Sequence, residues 1–309
     1  MRVLVTGGAG FVGSHVVDRL LGAGHAVDVI DNLATGRRDR LPAAARLHVC
    51  DLRDARLDEV LAEAQPAVVV HVAAQAAVSR SVVDPGFDAS VNVLGTIAVL
   101  EACRRAGVRR AIYTSTGGAG YGDTDVTPTP EDHPLRPTSP YGVSKITAER
   151  YLECWAGLTA SHVLTLRLAN VYGPRQDPAG EAGVIAIFTS RLLTGAPCIV
   201  NGDGNQTRDY VYVGDVADAI ARAVVSPEVV GVANIGTGAE TTVNELYRQL
   251  ALLTDVRRAA EHGPAKPGEQ RRSVLDAARA KSLLGWSATT PLEQGLTQTV
   301  TWFRKELTR

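Results

Sequence analysis

The chain has 309 residues, 45% hydrophobic and 21% charged, with a net charge of −1. That length and balance suit a globular protein with a large core, in one sizeable domain or two smaller ones. They exclude the basic footprint of a nucleic-acid or anionic-membrane binder, so affinity for a phosphorylated ligand must come from a local site. No apolar stretch approaches the ~20 residues a bilayer span needs, and Met1-Arg2-Val3-Leu4-Val5-Thr6-Gly7 runs directly into a strand with no leader pattern. Cys50, Cys103, Cys154 and Cys198 lie far apart and form no CxxC pair. No metal site is therefore expected, and the thiols read as reduced in a cytoplasmic protein.

In chain order, the β-branched run Val3–Thr6 predicts a buried strand, and the spacing over Phe11–Leu21 predicts a helix. Strands follow at Val27–Asp31 and Leu47–Cys50, a helix at Asp54–Ala64, and a strand at Ala67–Ala73. A long helix over Val91–Ala106, a strand at Arg110–Ser115, a helix over Tyr141–Trp155 and a strand at Val163–Leu168 complete the alternation. Strands this uniformly apolar, separated by helices, predict an α/β fold with a parallel sheet covered on both faces. Right-handed crossovers make it a doubly wound sheet of the Rossmann type. After Asn170, proline and glycine punctuate shorter elements. The expected organisation is a dinucleotide-binding portion over residues 1–169 and a substrate-binding portion, interleaved with it, over residues 170–309.

The first strand leads into Thr6-Gly7-Gly8-Ala9-Gly10-Phe11-Val12-Gly13, with glycines three apart. A turn this tight needs residues without Cβ to bend, to admit a pyrophosphate and to pack helix on sheet. The helix N-terminus adds free N–H groups and positive dipole. Asp31, ending the second strand, is placed to accept hydrogen bonds from the adenosine ribose and to repel a 2′-phosphate, which favours NAD over NADP. Arg37 and Arg38 are a mild counter-signal, or a solvated loop. Asp51-Leu52 would border the adenine, with capping as the alternative role for Asp51. Tyr141 and Lys145 form a YxxxK pair on one helical face. An ammonium beside a phenol is expected to lower the phenol's pKa and make it a base near neutrality.

These motifs, with HVAAQ at His71–Gln75, VNVLGT at Val91–Thr96, STGGAGYG at Ser115–Gly122 and SPYGVSK at Ser139–Lys145, resemble the extended short-chain dehydrogenases/reductases. LRLANVYGPRQD at Leu166–Asp177, NGDGNQTRDYVYVGDVADA at Asn201–Ala219 and NIGTG at Asn234–Gly238 extend the resemblance over nearly the whole chain, and it points to the UDP-glucose 4-epimerase family. The resemblance implies an isomerase with tightly held NAD. It makes Tyr141 the acid/base, places Lys145 on the nicotinamide ribose and puts a hydroxyl on the sugar O4. It also implies a cofactor shell of Gly7, Gly10, Phe11, Val12, Asp31, Asn32, Asp51, Leu52, Ala73, Ala74, Gln75 and Asn92. In many relatives the O4 hydroxyl lies four residues before the tyrosine of VYG. Here that position, counted from Tyr121, is Gly117, so a one-residue slip would bring Thr116, or Ser115, into place.

On the substrate side the resemblance assigns Asn170 to the diphosphate or sugar. Arg208 is assigned to the pyrophosphate; its alternative is a surface arginine paired to Asp209. Val184 is assigned to the substrate site, and Phe188 and Val200 either line the uracil pocket or are ordinary core. Glu269 takes the uridine ribose. Lys266 stands where relatives often carry arginine, with Arg271 able to compensate. Ser273 is the gate beside the sugar C2 substituent, its small size leaving room for an N-acetyl group, or it simply begins the Val274-Leu275 strand while other residues close the pocket. The 4,6-dehydratases of this superfamily carry Asp-Glu after the catalytic threonine, whereas Gly117-Gly118 stand here. Against the glucuronate epimerases, Asp177 would repel a sugar carboxylate. Epimerisation of UDP-N-acetylglucosamine or UDP-glucuronate and a non-catalytic dinucleotide-sensing module remain the alternatives. A homodimer is implied, pairing Leu94, Ile97, Ala98 and Glu101 with Ala148, Tyr151 and Leu152 in a four-helix bundle.

Overall fold

The computed structural model describes residues 1–179, 183–265 and 270–308. Strands β1 (Arg2–Thr6), β2 (Ala26–Asp31), β3 (Arg46–Val49), β4 (Val68–His71), β5 (Arg110–Thr116) and β6 (His162–Leu168) form a parallel sheet. Gly231–Ile235, from the second half of the chain, adds a seventh strand beside β6. The spatial order is Gly231–Ile235, β6, β5, β4, β1, β2, β3. The order reverses between β1 and β4, and a crevice therefore opens at their carboxyl ends, where Gly7 and Val72 begin the loops.

Each face of the sheet is buried. Val3, Val5, Val29 and Val70 pack against α1 (Phe11–Gly22) and the helix Val213–Val224. Leu4, Ile30, Val69 and Tyr113 face the helices Leu57–Ala64, Gly95–Arg105 and Pro140–Thr159. A third cluster, including Ile185, Phe188, Val200, Leu246 and Val300, forms the core of the substrate-side portion. Every strand and helix expected up to Leu168 is present, with ends moved by up to four residues. The helix expected from Asp54 starts at Leu57, because the Asp54 carboxylate accepts the Arg56 N–H and holds a turn first.

The segment before Gly95 differs most. Helices Val78–Val83 and Pro85–Ala89 and a π-helical turn Ser90–Leu94 precede it. The resulting helical run Pro85–Arg105 is 21 residues long with mean hydropathy 1.3. By length and composition alone it could cross a membrane, which corrects the expectation that no such stretch exists. It carries the buried polar residues Asp88, Asn92 and Thr96, and packs Val99, Leu100 and Cys103 into the core.

Candidate active site

The glycine turn is built by steric necessity. Gly7 has φ +70°, and a Cβ on it would lie 2.7 Å from the Ala73 backbone. A Cβ on Gly13 would lie 2.1 Å from the Gly7 carbonyl oxygen. The Ala9 and Leu33 N–H groups donate to separate oxygens of Asp31, at 2.9 and 2.8 Å. Burial pushes the Asp31 carboxyl up, and those two donors oppose it. Each oxygen keeps a lone pair for a ligand hydroxyl. Arg37 pairs with Asp39 in solvent. Asn32 donates to Asp51 at 2.8 Å, and Arg53, paired to Asp51 at 2.7 Å, holds that carboxyl well below its usual range.

A directed hydrogen-bond chain runs behind this turn. Thr96 donates to the Asn92 carbonyl (2.6 Å), so it accepts from His71 Nε2 (3.0 Å). His71 Nδ1 therefore accepts from Thr6 (2.7 Å), whose oxygen accepts the Ala73 N–H (3.2 Å). Burial pushes His71 down to about 3, so it stays neutral. The Asn92 amide is spent inside the protein: it donates to the Gln75 carbonyl, Asp88 and Ser144, and its oxygen accepts the Gln75 N–H at 2.8 Å. Asn92 thus positions the Ala73–Gln75 loop. Leu52 is buried beside Gly95.

Tyr141 and Lys145 lie on the helix Pro140–Thr159, which starts at Pro140 and is capped by Ser139, whose hydroxyl accepts the Gly142 N–H. A cavity of about 320 Å³ brings together Phe11, Val12, Ala74, Ser115, Thr116, Tyr141, Lys145, Asn170, Gln176, Val184 and Tyr210. The Thr116 oxygen accepts the Ala119 N–H at 3.2 Å, and Thr116 lines the cavity together with Tyr141, where it acts to lower the phenol's pKa. Both candidates for the one-residue slip, Thr116 and Ser115, line the cavity. Ser115 Oγ also lines the cavity and has no protein partner. Gly117 is glycine for a packing reason: a Cβ there would lie 2.5 Å from the Leu275 side chain.

The electrostatics correct one expectation. Burial pushes the Tyr141 phenol up to about 12, and nearby Asp88 adds to that; Thr116 alone opposes them. Lys145 is not among the groups acting on it. Burial pushes Lys145 itself down to about 7, against Glu149 and Asp88, and its ammonium sits 4.2 Å from the centre of the Tyr113 ring. With its ammonium turned towards the Tyr113 ring, Lys145 does not offset the effect of burial on the phenol.

Comparison with known proteins matches residues 3–236 to the NAD dependent epimerase/dehydratase family. The chain belongs to that family. A UDP-glucose 4-epimerase of Mycolicibacterium smegmatis is 46% identical over 311 residues, 99% of each chain. The crystal structure of a Thermotoga maritima UDP-glucose 4-epimerase with UDP-glucose superposes with a TM-score of 0.96 at 45% identity, covering 99% of this chain and 100% of that one. The Thermus thermophilus UDP-glucose 4-epimerase complex with NAD gives 0.93 at 44%, covering 98% and 99%. NAD is the cofactor of this epimerase/dehydratase, and the residues present fit it. The turn is open only because Gly7 and Gly13 lack Cβ atoms, and Asp31 keeps acceptor capacity.

The substrate-side residues of this family member are placed unevenly. Arg208 donates to the Thr207 carbonyl at 2.8 Å. Its alternative as a partner of Asp209 is not what the structure shows, because that carboxylate is occupied by Thr237, Gly238 and Leu275. Ser273, buried and paired in register with Arg208, approaches Gly118: a Cβ on Gly118 would lie 3.3 Å from Ser273 Oγ and 3.9 Å from Asn170 Oδ1. Phe188 and Val200 are 2% and 0% exposed, in the third core cluster, and line no part of the cavity that Val184 lines. Arg271 pairs with Asp203 at 2.8 Å. Lys266 and Glu269 lie outside the described residues. Among the described residues no His/Cys/Asp/Glu cluster could hold a metal.

Sequence reasoning missed Asp88, Glu149 and Arg167. Glu149 continues the Tyr141–Lys145 face by one more helical step. Its carboxylate accepts from Arg167 at 2.7 Å with both side chains at most 4% exposed. Arg167 also donates to the Tyr121 hydroxyl at 3.0 Å, and Tyr121 donates to Asn234 at 2.8 Å. An arginine interrupting the apolar run of β6 was the available signal.

Proposed function

We propose that this chain is an NAD-dependent UDP-glucose 4-epimerase, interconverting UDP-glucose and UDP-galactose through a 4-keto sugar. The observation that carries this reading is the cavity that brings Thr116, Tyr141 and Lys145 together with the first turn of α1 and Asn170. Tyr141 takes the proton from O4 and later returns it, while the Thr116 hydroxyl holds the phenol oxygen in line. When bound, NAD supplies the acceptor for the C4 hydride and then its donor. Gly7, Gly10, Phe11 and Val12 hold the dinucleotide pyrophosphate, Asp31 the adenosine ribose, Asp51 and Leu52 the adenine side, and Lys145 the nicotinamide ribose. Asn170 and Arg208 hold the sugar diphosphate, and Ser273 borders the sugar C2 substituent. The division of labour follows residues 1–169 and 170–309, with Gly231–Ile235 returning to the sheet. Leu275 fills the space beside Gly117, so no carboxylate stands there to eliminate water as a 4,6-dehydratase requires.

The test is a panel of UDP-sugars assayed without added cofactor. Turnover of UDP-galactose to UDP-glucose is expected. A need for added NAD(H) points to a reductase or dehydrogenase, and no turnover points to a dinucleotide-sensing module. Sugar range is tested at Ser273. Ser273→Tyr is expected to lower kcat/KM for UDP-N-acetylglucosamine relative to UDP-glucose by about 10- to 100-fold, the reach of one lost or gained steric contact. If wild type already rejects the acetylated sugar and tyrosine changes nothing, Ser273 is not the gate.

We place the enzyme in the cytoplasm as a homodimer. Ala148 and Leu152, expected on the partner-facing surface, point into the core instead, because the inward register is set by Tyr141, Lys145 and Glu149. The exposed apolar residues on these two helices are Leu94 (60%), Val143 (50%), Tyr151 (45%) and Leu158 (82%), and they suit a self-complementary interface. Light scattering at micromolar concentration should give twice the chain mass, and Leu94→Glu should shift it towards the monomer. A wild-type monomer sinks the dimer.

A further inference from the structure

We propose that the segment Gly173–Gln176 is a strap clasped to α1 across the cofactor cleft, and that Asp18 and Arg175 are positioning residues for cofactor retention. The inference rests on the NAD-dependent epimerase reading. The segment leaves the short strand Asn170–Tyr172 at the cavity wall and returns to the helix whose first turn carries the glycine motif. Two contacts fasten it there. His15 Nε2 donates to the Pro174 carbonyl at 2.9 Å, and Arg175 Nη2 lies 2.7 Å from Asp18 Oδ2. His15 and Asp18 are three residues apart, on one face of α1. Beyond the clasp, Gln176 lines the cavity that Phe11 and Val12 line from the first turn of the same helix.

The strap is held in a conformation that an arginine disfavours. Arg175 has φ +70°, in the left-handed region, and a Cβ on Gly173 would lie 2.5 Å from Val213. A non-glycine residue persists there only when its surroundings over-determine it, and the two contacts to α1 do so. The chemistry explains the need. The epimerase reduces its cofactor in the first half of each cycle and reoxidises it in the second. Cofactor lost in between strands a keto sugar.

The experiment compares wild type with Asp18→Asn and Arg175→Gly, reading bound NAD(H) per chain after gel filtration and the rate of cofactor release on dilution. Arg175→Gly suits the positive φ and removes only the clasp. Both variants should release NAD about fivefold faster, the upper end of what a partly exposed ion pair contributes. Added NAD should restore turnover to within about twofold of wild type. The reversed pair, Asp18→Arg with Arg175→Asp, should recover retention, since aspartate tolerates this backbone region. Wild-type release rates in both single variants overturn the proposal, as does a reversed pair as leaky as they are, or lost turnover that added NAD does not recover. Wild type that binds no NAD overturns both the strap and the epimerase reading.

Discussion

Tyr141→Phe is expected to lower turnover by roughly 10²- to 10⁴-fold, the range for a positioned proton-transfer group. The substitution removes one oxygen and leaves the ring, so the helix Pro140–Thr159 and its cap should be undisturbed. Bound NAD and the thermal midpoint should match wild type, which separates lost chemistry from lost structure. Burial already pushes the phenol up to about 12, and Thr116 is the one side chain acting the other way. Among the described residues the other phenols lining the cavity are Tyr172 and Tyr210, and no carboxylic acid lines it. Near wild-type turnover in this variant would remove Tyr141 from the mechanism.

Glu149→Ala should be the most destabilising single change near the site. It leaves the Arg167 cation buried without its carboxylate, and breaking such a pair costs about 3–5 kcal/mol. Burial works against the Arg167 charge, and Glu149 more than offsets it, holding the guanidinium well above its ordinary range. A fall of roughly 5–8 °C in the thermal midpoint follows for a chain of this size. The double variant Glu149→Met with Arg167→Met removes both charges and should recover much of the loss, because apolar replacement of a whole buried pair is often near neutral. Calorimetry on the three proteins decides it. A single variant within about 1 kcal/mol of wild type would show that water reaches Arg167.

Local pattern made the sheet legible. Val3–Thr6, Val27–Asp31 and Val163–Leu168 are β-branched and aliphatic runs that only a buried parallel strand accommodates, and the glycines of the first turn identify the crevice directly. The YxxxK pair and the hydroxyl before Gly117 were legible for the same reason: their geometry lies within one helix or one turn. What escaped was built from distant parts. The inward register of Ala148 and Leu152 depends on what the sheet presents to that helix. Asp88 looks like any surface acid until the run Pro85–Arg105 carries it inside. That Lys145 does not offset the effect of burial on Tyr141 depends on the turn of its ammonium towards the Tyr113 ring. The core placement of Phe188 and Val200 depends on Tyr247 and the helix Val243–Thr254, elements that no motif announces.

The contact between Gly117 and Leu275 joins positions 158 residues apart into one steric unit. The two sites should therefore co-vary. A homologue with a side chain at the first should carry a smaller residue at the second, and a library that randomises either position alone will mostly sample clashes or voids. The same constraint limits loop exchange. Grafting a sugar-side strand from a relative brings its own residue at 275, and the turn that aims Thr116 must then be exchanged with it.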